Sequence, residues 1–313
     1  MQRRKFIKAS ALASAGSYIS SYNILAKTML PAEENKIPVT DTHMHIWDLE
    51  KLHYPWLEDR MSPISKNFLV SDYQQATAGC NVQKMVFVEC GRAADQYLEE
   101  VDWVIEQSEK DPRIQGIVAY LPVEKGEGVI PEMETLASRK MVRGIRHGFN
   151  KEVAGNSGFM QALRLLPQYN LSFDLNITPP LMPDAIAVVR QCPDTTFILD
   201  HLCNPNIRDN EMEDWKKYLI QLATLENTYL KVSGIITKAD RENWTANDLR
   251  PYVLFAIETF GIDRVVFGGD WPVVLLAGSY KDWLTALQSI VADFSKKEQK
   301  KLFSRNAEKV YRV

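Results

Sequence analysis

Short apolar runs alternate along most of this chain with longer segments in which apolar residues recur at helical spacing. Eight runs are rich in β-branched and aromatic residues and have the length of strands. Between the second and third runs, Leu98, Val101 and Val104 stand among charged residues, as on one face of a helix. The eight runs are residues 37–47, 84–90, 114–121, 142–149, 171–177, 195–202, 228–234 and 263–269.

The alternation of strand and helix predicts parallel strands, because a crossover helix returns the chain to the starting edge of the sheet after each strand. Eight such units predict a single-domain α/β protein, a (β/α)₈ TIM barrel. A doubly wound open sheet is the alternative, but no glycine-rich phosphate loop follows the first run. The barrel is therefore the favoured fold, and its domain spans residues 37–313.

The segment before residue 37 has a different character. Residues 1–26 carry Arg3, Arg4, Lys5 and Lys8, no acidic residue, and a stretch rich in Ala and Ser. The run RRKFIK resembles a twin-arginine export signal, which bacteria use to move folded proteins across the inner membrane. A basic disordered tail is the alternative. We expect a signal at 1–26, a linker at 27–36 and a periplasmic mature protein.

Composition excludes several classes of function. The net charge of −3 leaves no basic footprint for a nucleic-acid partner. No stretch reaches the roughly 18 apolar residues of a membrane-spanning helix, so we expect no membrane span in the mature protein. The four cysteines are far apart and lack CxxC spacing, which disfavours a redox motif or a structural zinc site. These exclusions favour a small-molecule substrate as the partner.

The candidate chemistry lies at the ends of the predicted strands. Histidine occurs five times, and His43 and His45 are two apart on the first strand, so their side chains share a face. His201 ends the sixth strand, and Asp270 ends the eighth, which barrel closure places beside the first. Such a group suits a divalent metal, or a water that Asp270 deprotonates. The alternatives are a core role for His201 and a turn before Pro272 for Asp270.

Five motifs together carry a resemblance to a known family. They are DTHMHIWD (41–48), YPWL (54–57), GIRH (144–147), DHLCNP (200–205) and FGGDWPVVLLAGSY (267–280). In this order, over residues 37–313, they resemble the amidohydrolase-related proteins that include sugar-acid lactonases and 2-pyrone-4,6-dicarboxylate lactonases. The resemblance implies a (β/α)₈ barrel that opens a lactone by hydrolysis. It also implies that the site histidines are His43, His45 and His201 and that the base is Asp270.

The resemblance bears on metal content and on the fourth strand as well. Binuclear members carry a lysine on strand four and a histidine on strand five, which runs 142–149 and 171–177 lack. We therefore expect one divalent ion at most, with zinc favoured, and metal-independent members of the family leave the alternative of no metal open. His147 matches a position near the substrate, and we favour it over Arg146 as the partner of the developing oxyanion.

Residues near the strand ends indicate the substrate class. Trp47 and Trp271 can pack on the apolar faces of a sugar, and the arginines form no evident clamp for a dicarboxylate. The favoured substrate is a neutral aldonolactone such as a deoxy-hexonolactone. The alternatives are a metal-dependent decarboxylase or amide hydrolase on the same barrel, and a non-catalytic sugar-binding barrel. The predicted substrate contacts are Trp47, Glu89, Arg92, Arg146, Asn176 and Trp271.

The export signal can be tested directly. Replacing Arg3 and Arg4 together by lysine should leave the precursor in the cytoplasm, because the twin-arginine pathway recognises the arginine pair. Cell fractionation and immunoblotting measure the periplasmic share, with Lys8→Arg as the matched control. Normal periplasmic amounts of the double variant would show that residues 1–26 are a general secretion signal or no signal.

Overall fold

Eight strands form one parallel sheet in this computed structural model, which describes residues 36–59 and 62–313. Each strand pairs in parallel with the next one along the chain. The predicted signal, and all but the last residue of the predicted linker, lie outside the described residues. The strands are β1 (Val39–Met44), β2 (Val82–Val88), β3 (Ile114–Tyr120), β4 (Val142–Arg146), β5 (Ser172–Leu175), β6 (Phe197–Leu199), β7 (Thr228–Ser233) and β8 (Val265–Gly268).

The sheet closes between its last and first strands. The amide of Asp270 donates to the carbonyl of His43 at 2.7 Å, and the amide of His45 donates to the carbonyl of Trp271 at 2.8 Å. The connection therefore runs through the residues just after β8 and not through β8 alone. This closure confirms the predicted (β/α)₈ barrel.

One or more helices follow each strand, and several begin at a polar cap. The side chains of Asn150, Asn156, Ser279 and Ser295 each accept a backbone N–H in the first turn of a helix. Within the described residues, none of the helices combines the length and apolar character needed to cross a membrane. The helices are α1 (Val70–Ala76), α2 (Tyr97–Lys110), α3 (Ile130–Ala137), α4 (Lys151–Ala154), α5 (Ser157–Leu165), α6 (Met182–Gln191), α7 (Glu213–Ala223), α8 (Ala246–Phe260), α9 (Tyr280–Ile290), α10 (Lys296–Lys300) and α11 (Asn306–Tyr311).

Several strands end earlier than the apolar runs predict. The sixth run extends to residue 202, but β6 stops at Leu199 because His201 and Leu202 both adopt left-handed backbone conformations with φ of 53°. His45 likewise follows the end of β1, and Asp270 follows the end of β8 with φ of 57°. Left-handed conformations are uncommon for residues other than glycine and concentrate at functional sites.

Helix α11 closes one end of the barrel interior. Its residues Ala307, Val310 and Tyr311 form an apolar cluster with side chains from β2, β3, β6 and β8. Tyr311 is fully buried, and its hydroxyl donates to Asp174 of β5 at 2.6 Å. The C-terminal helix is therefore part of the barrel core.

The buried face of α2 carries an acidic residue, Glu100, whose side chain has no solvent exposure. One carboxylate oxygen accepts the amide of Cys90 at 3.0 Å, and the other has no hydrogen-bond partner among the described residues. Burial raises the pKa of Glu100 from its ordinary 4.5 to about 8, against the attraction of Arg92 and with added repulsion from Glu89. Deprotonation of Glu100 therefore opposes folding.

Glu100→Gln should remove this pH dependence. A carboxyl whose pKa is raised in the folded state lowers stability progressively as the pH rises from 4.5 through about 8. Between pH 5 and pH 9, the free energy of unfolding of the variant should rise by about 1–3 kcal/mol relative to that of the native protein. Denaturant unfolding at the two pH values measures the change. Asp102→Asn, on the same helix with a lowered pKa, is the control, and equal behaviour of both variants would contradict the assignment.

Candidate active site

A pocket of about 300 Å³ opens at the carboxyl ends of the strands. This is the face on which barrel enzymes carry their active sites, because the loops after all the strands meet there. Its lining joins residues that are far apart in sequence, and most of them follow directly after a strand. They are His43, His45, Trp56, Glu89, Cys90, Gly91, Arg146, Asn176, His201, Asn204, Thr237, Lys238, Asp270 and Val273.

The four predicted metal-type residues come together in this pocket. The Nε2 atoms of His43 and His45 lie 3.8 and 3.6 Å from Oδ1 of Asp270, and Nδ1 of His201 lies 3.9 Å from its Oδ2. The His43 ring centroid is 4.8 Å from that of His45 and 4.4 Å from that of His201. These side chains converge because His43 and His45 are two apart at the end of β1 and because the residues after β8 pair with that end.

Close backbone packing fixes the carboxylate of Asp270. Gly234 follows β7 with φ of 56°, and a Cβ at this position would overlap the Asp270 carboxylate. A Cβ on Gly268 would lie 2.8 Å from Cβ of His43. Glycine at both positions therefore allows the ends of β7 and β8 to approach the side chains of Asp270 and His43.

The histidines are held by hydrogen bonds at Nδ1. Nδ1 of His45 donates to the carbonyl of Val88 at 2.8 Å, which directs its Nε2 toward Asp270. Nδ1 of His201 lies 2.9 Å from Oγ of Ser233. Burial lowers the pKa of His43 well below its ordinary value and also lowers the pKa of His201, although nearby carboxylates oppose both shifts. Both imidazoles are therefore neutral at neutral pH.

Asp270, in contrast, stays ionised. Burial alone would raise its pKa, but the adjacent imidazoles of His201, His45 and His43 together bring the pKa below the ordinary value. The site therefore combines one carboxylate with neutral imidazoles, which is a suitable environment for holding and deprotonating water.

Arg146 brings a positive charge to the pocket side of this group. Its Nη1 lies 3.3 Å from Nε2 of His43, and its Nε donates to Glu89 at 2.8 Å. Glu89 also accepts from Arg92 at 2.8 Å. Burial would raise the pKa of Glu89, but Arg146 and Arg92 lower it to about 2. Glu89 therefore remains a carboxylate and holds the guanidinium of Arg146 at the pocket.

His147 lies outside the pocket. Its Nε2 is 3.0 Å from Glu124, its Nδ1 is 2.8 Å from the carbonyl of Gly148, and its ring stacks on Tyr120. The structure thus directs Arg146 into the pocket and His147 away from it, the reverse of the predicted preference. The physical reason is that β4 ends at Arg146, whose side chain is inward, and the next side chain points to the other side.

Of the other predicted substrate contacts, some line the pocket and others do not. Asn176 lines the pocket and accepts from Asn204 at 2.8 Å. Trp47 and Trp271 are buried and pack in one aromatic cluster, each with its ring edge-on to Phe68. Arg92 stands behind Glu89 and does not line the pocket. Of the tryptophans near β1, the pocket receives Trp56.

Sequence reasoning missed a buried ionic network beneath His43. Nζ of Lys231 lies 2.6 Å from Asp174, 2.9 Å from Asp200 and 3.2 Å from Nδ1 of His43. All four side chains are fully buried. Burial raises the pKa of Asp174 to about 6, with Lys231 opposing, while Asp174 and Asp200 keep the pKa of Lys231 high against burial. The sequence signal for this network was a lysine in a strand, β7, that has no other charged residue.

The geometry also fits one divalent ion. His43, His45 and Asp270 offer two nitrogens and one oxygen within 4.8 Å of one another. For bonds of 2.0–2.2 Å, tetrahedral ligand atoms stand about 3.4 Å apart, close to the 3.6 and 3.8 Å measured here. Three protein ligands and one open position are typical of catalytic zinc sites. The guanidinium of Arg146 competes with such an ion for Nε2 of His43.

Known proteins share this architecture. The amidohydrolase family model matches residues 40–313. The uncharacterized protein y4mH of Sinorhizobium fredii is 31% identical over 88% of this chain and 99% of its own length. An L-fucono-1,5-lactonase of Burkholderia ambifaria is 25% identical over 87% of this chain and 95% of its own.

A solved structure shows the same fold. It is the crystal structure of an amidohydrolase from Burkholderia multivorans with bound zinc. It superposes with a TM-score of 0.79 at 22% identity and covers 88% of this chain and 99% of that chain. The family model spans nearly all of the barrel, and this match is sufficient to assign the family. This chain belongs to the amidohydrolase family.

Proposed function

We propose that this protein hydrolyses a sugar-acid lactone, with Asp270 assisting the attack of water. The observation that carries the proposal is the ionised carboxylate of Asp270 facing two imidazoles, with the Arg146 guanidinium beside them. Similarity to an L-fucono-1,5-lactonase supports a lactone as the substrate. The ester of a lactone is an activated acyl group, so one base and one cation suffice for its hydrolysis.

The reaction can be assigned to side chains of the pocket. A water donates one hydrogen to Asp270 and one to Nε2 of His45, and its oxygen attacks the lactone carbonyl while Asp270 takes the proton. Because the lowered pKa makes Asp270 a weak base, proton transfer accompanies formation of the C–O bond. Arg146 stabilises the negative charge on the former carbonyl oxygen. Asp270 then returns the proton to the ring oxygen as the ester bond breaks.

We further propose that one divalent ion, with zinc favoured, binds at His43, His45 and Asp270. Such an ion would supply Lewis-acid polarisation and acidify a bound water. Asp270 and Arg146 keep their roles in either case: Asp270 accepts the proton, and Arg146 faces the oxyanion.

The lining of the pocket suits a sugar ring. Glu89, Asn176 and Asn204 offer polar atoms for hydroxyl groups, and the indole of Trp56 is 46% exposed. An exposed aromatic face beside hydrogen-bonding groups is suited to an amphipathic ring. We therefore favour an aldonolactone such as a deoxy-hexonolactone.

A lactone panel tests the proposal. Each opened lactone releases a proton, so a pH indicator follows the rate, and metal analysis of the same preparation gives the zinc content. We expect deoxy-sugar and hexonic lactones to be opened faster than amides or pyrone dicarboxylates. Efficient cleavage of an amide or a dicarboxylate lactone, with no sugar lactone opened above the spontaneous rate, would overturn the proposal. Tight binding of a sugar lactone without turnover would indicate a binding protein.

Asp270→Asn should lower kcat by at least about 10²-fold, the lower range for loss of a general base. The fold should survive, because the backbone hydrogen bonds at this position do not involve the carboxylate. Initial rates on the best lactone, with thermal unfolding of the same samples, provide the measurement. Asp263→Asn, an exposed aspartate just before β8 that pairs with Lys301, is the matched control. Comparable rates for the two folded variants would exclude Asp270 as the base.

Two neighbouring residues, the last of β4 and the one after it, separate two assignments of the oxyanion partner. Arg146→Met should lower kcat by about 10²-fold, because it removes the charge that faces the oxyanion. His147→Asn should change kcat by less than about threefold, because its imidazole lies outside the pocket. Steady-state kinetics of both variants decide the matter. The opposite ranking would assign the oxyanion to His147.

A further inference from the structure

A second pocket, of about 370 Å³, lies at the amino-terminal ends of β4 and β5, whereas the candidate active site lies at the carboxyl ends of the strands. Its polar lining consists of Lys140, Arg143, Tyr169, Asn170 and Arg312, and two apolar residues complete it. Among the described residues, no acidic side chain lines this pocket. Because the whole chain has a net charge of −3, such a concentration of positive charge is local, and it attracts anions.

The guanidinium of Arg312 is fixed at this pocket by backbone carbonyls. Its Nη2 donates to Asn170 at 2.6 Å and to Arg143 at 3.0 Å, and its Nη1 donates to Val310 at 3.2 Å. Arg312 directly follows α11 in a left-handed conformation with φ of 56°, which is uncommon for residues other than glycine. Because the side chain is already ordered, binding of a ligand to it costs little further side-chain entropy.

Arg143 and Lys140 supply the other two positive charges. Nη1 of Arg143 donates to the carbonyl of Lys140 at 2.6 Å, while its Nε is buried and has no hydrogen-bond partner among the described residues. The acidic side chain bonded to the lining is Glu134, which accepts the hydroxyl of Tyr169 at 3.4 Å. In the part of the chain that the structure describes, the three cations therefore have no carboxylate partner.

The two arginines bring like charges together. Arg312 bonds to the backbone of Arg143, and burial together with repulsion from that guanidinium lowers the pKa of Arg312. An anion in the pocket would offset the repulsion and would accept from donors that the protein leaves unpaired. Guanidinium groups match the oxygens of phosphate and of carboxylate. Since three cations suit a double negative charge better than a single one, the geometry favours a phosphate group.

The pocket joins segments that are far apart in sequence. Lys140 lies just before β4, Asn170 lies just before β5, and Arg312 lies just after α11. Helix α11 fills one end of the barrel interior. A ligand that binds only the folded state stabilises it. An anion in contact with all three segments would therefore hold α11 against the two strands.

We propose that this pocket binds the phosphate group of a small molecule through Lys140, Arg143 and Arg312, and that the bound phosphate fastens α11 to β4 and β5. The pocket is larger than a phosphate group, so inorganic phosphate and a small phosphate monoester both fit. The inference does not depend on the proposed lactone hydrolysis, because the two pockets lie at opposite ends of the barrel.

Calorimetric titration of the purified protein with inorganic phosphate or glycerol 3-phosphate, at constant ionic strength, tests the proposal. We expect saturable binding, and a rise in Tm of roughly 2–5 °C at saturation relative to chloride. Hydrogen–deuterium exchange in α11 should become slower when phosphate is bound. No binding of either compound would overturn the proposal, and binding that leaves exchange in α11 unchanged would exclude the fastening of the helix.

Lys140→Gln locates the binding at this pocket. It removes an exposed ammonium and should weaken phosphate binding about tenfold, as expected for loss of one charge-assisted contact. Arg208→Gln is the matched control, because it removes an exposed arginine that lies after β6 and pairs with Asp209. Arg146→Met should also keep the native Kd. A loss of binding in Arg146→Met with native binding in Lys140→Gln would assign the phosphate to the candidate active site and overturn the proposal.

Arg143→Gln and a vesicle assay complete the test. The variant removes the buried guanidinium, so the folded protein should bind phosphate at least about tenfold more weakly than the native protein. Co-sedimentation with phosphatidylglycerol vesicles, compared with phosphatidylcholine vesicles, separates a lipid head group from a small soluble phosphate. Binding to the anionic vesicles without binding of either soluble phosphate would contradict a small-molecule ligand.

Discussion

The hydrogen bond from the amide of Asp270 to the carbonyl of His43 joins the segment after the last strand to the first strand. An open sheet of the same strands would leave these residues at opposite edges. Closure brings the carboxylate of Asp270 within 4 Å of the imidazoles of His43 and His45. The pocket, the fit to a metal ion and the proposed path of the proton all depend on this contact between the first strand and the segment after the last.

Near this contact, buried side chains of opposite charge alternate in two linked sets. On one side, Glu89 lies between Arg92 and Arg146; on the other, Lys231 lies between Asp174 and Asp200. Arg146 approaches Asp200 at 3.6 Å and thereby connects the sets. Because each buried charge has an opposite neighbour, the desolvation cost of each is offset locally. Asp270 lies outside these two sets and faces the imidazoles of His43, His45 and His201.

The sequence was sufficient for the fold and for the group of His43, His45, His201 and Asp270. Strand order and cyclic closure bring the strand ends that carry these residues to one rim of the barrel. It was insufficient for Arg146 and His147, because alternation allows only one of the two side chains to face inward and does not show which one. The sequence also could not predict the ion pairs of Lys231, because a lysine in a strand does not identify its partners on other strands. The burial of Trp47 and Trp271 follows from loop packing, which has no sequence period.

At its other end, the barrel is held together by contacts between residues that are far apart in sequence. The hydroxyl of Thr40 on β1 lies 3.2 Å from that of Ser304, across 264 positions of sequence. Helix α11 then fills the interior that the early strands enclose. Contacts of such long range form slowly, because a large loop must close before they can contribute. During synthesis, the early strands therefore emerge from the ribosome well before the helix that completes their core, and the barrel matures only after translation of α11.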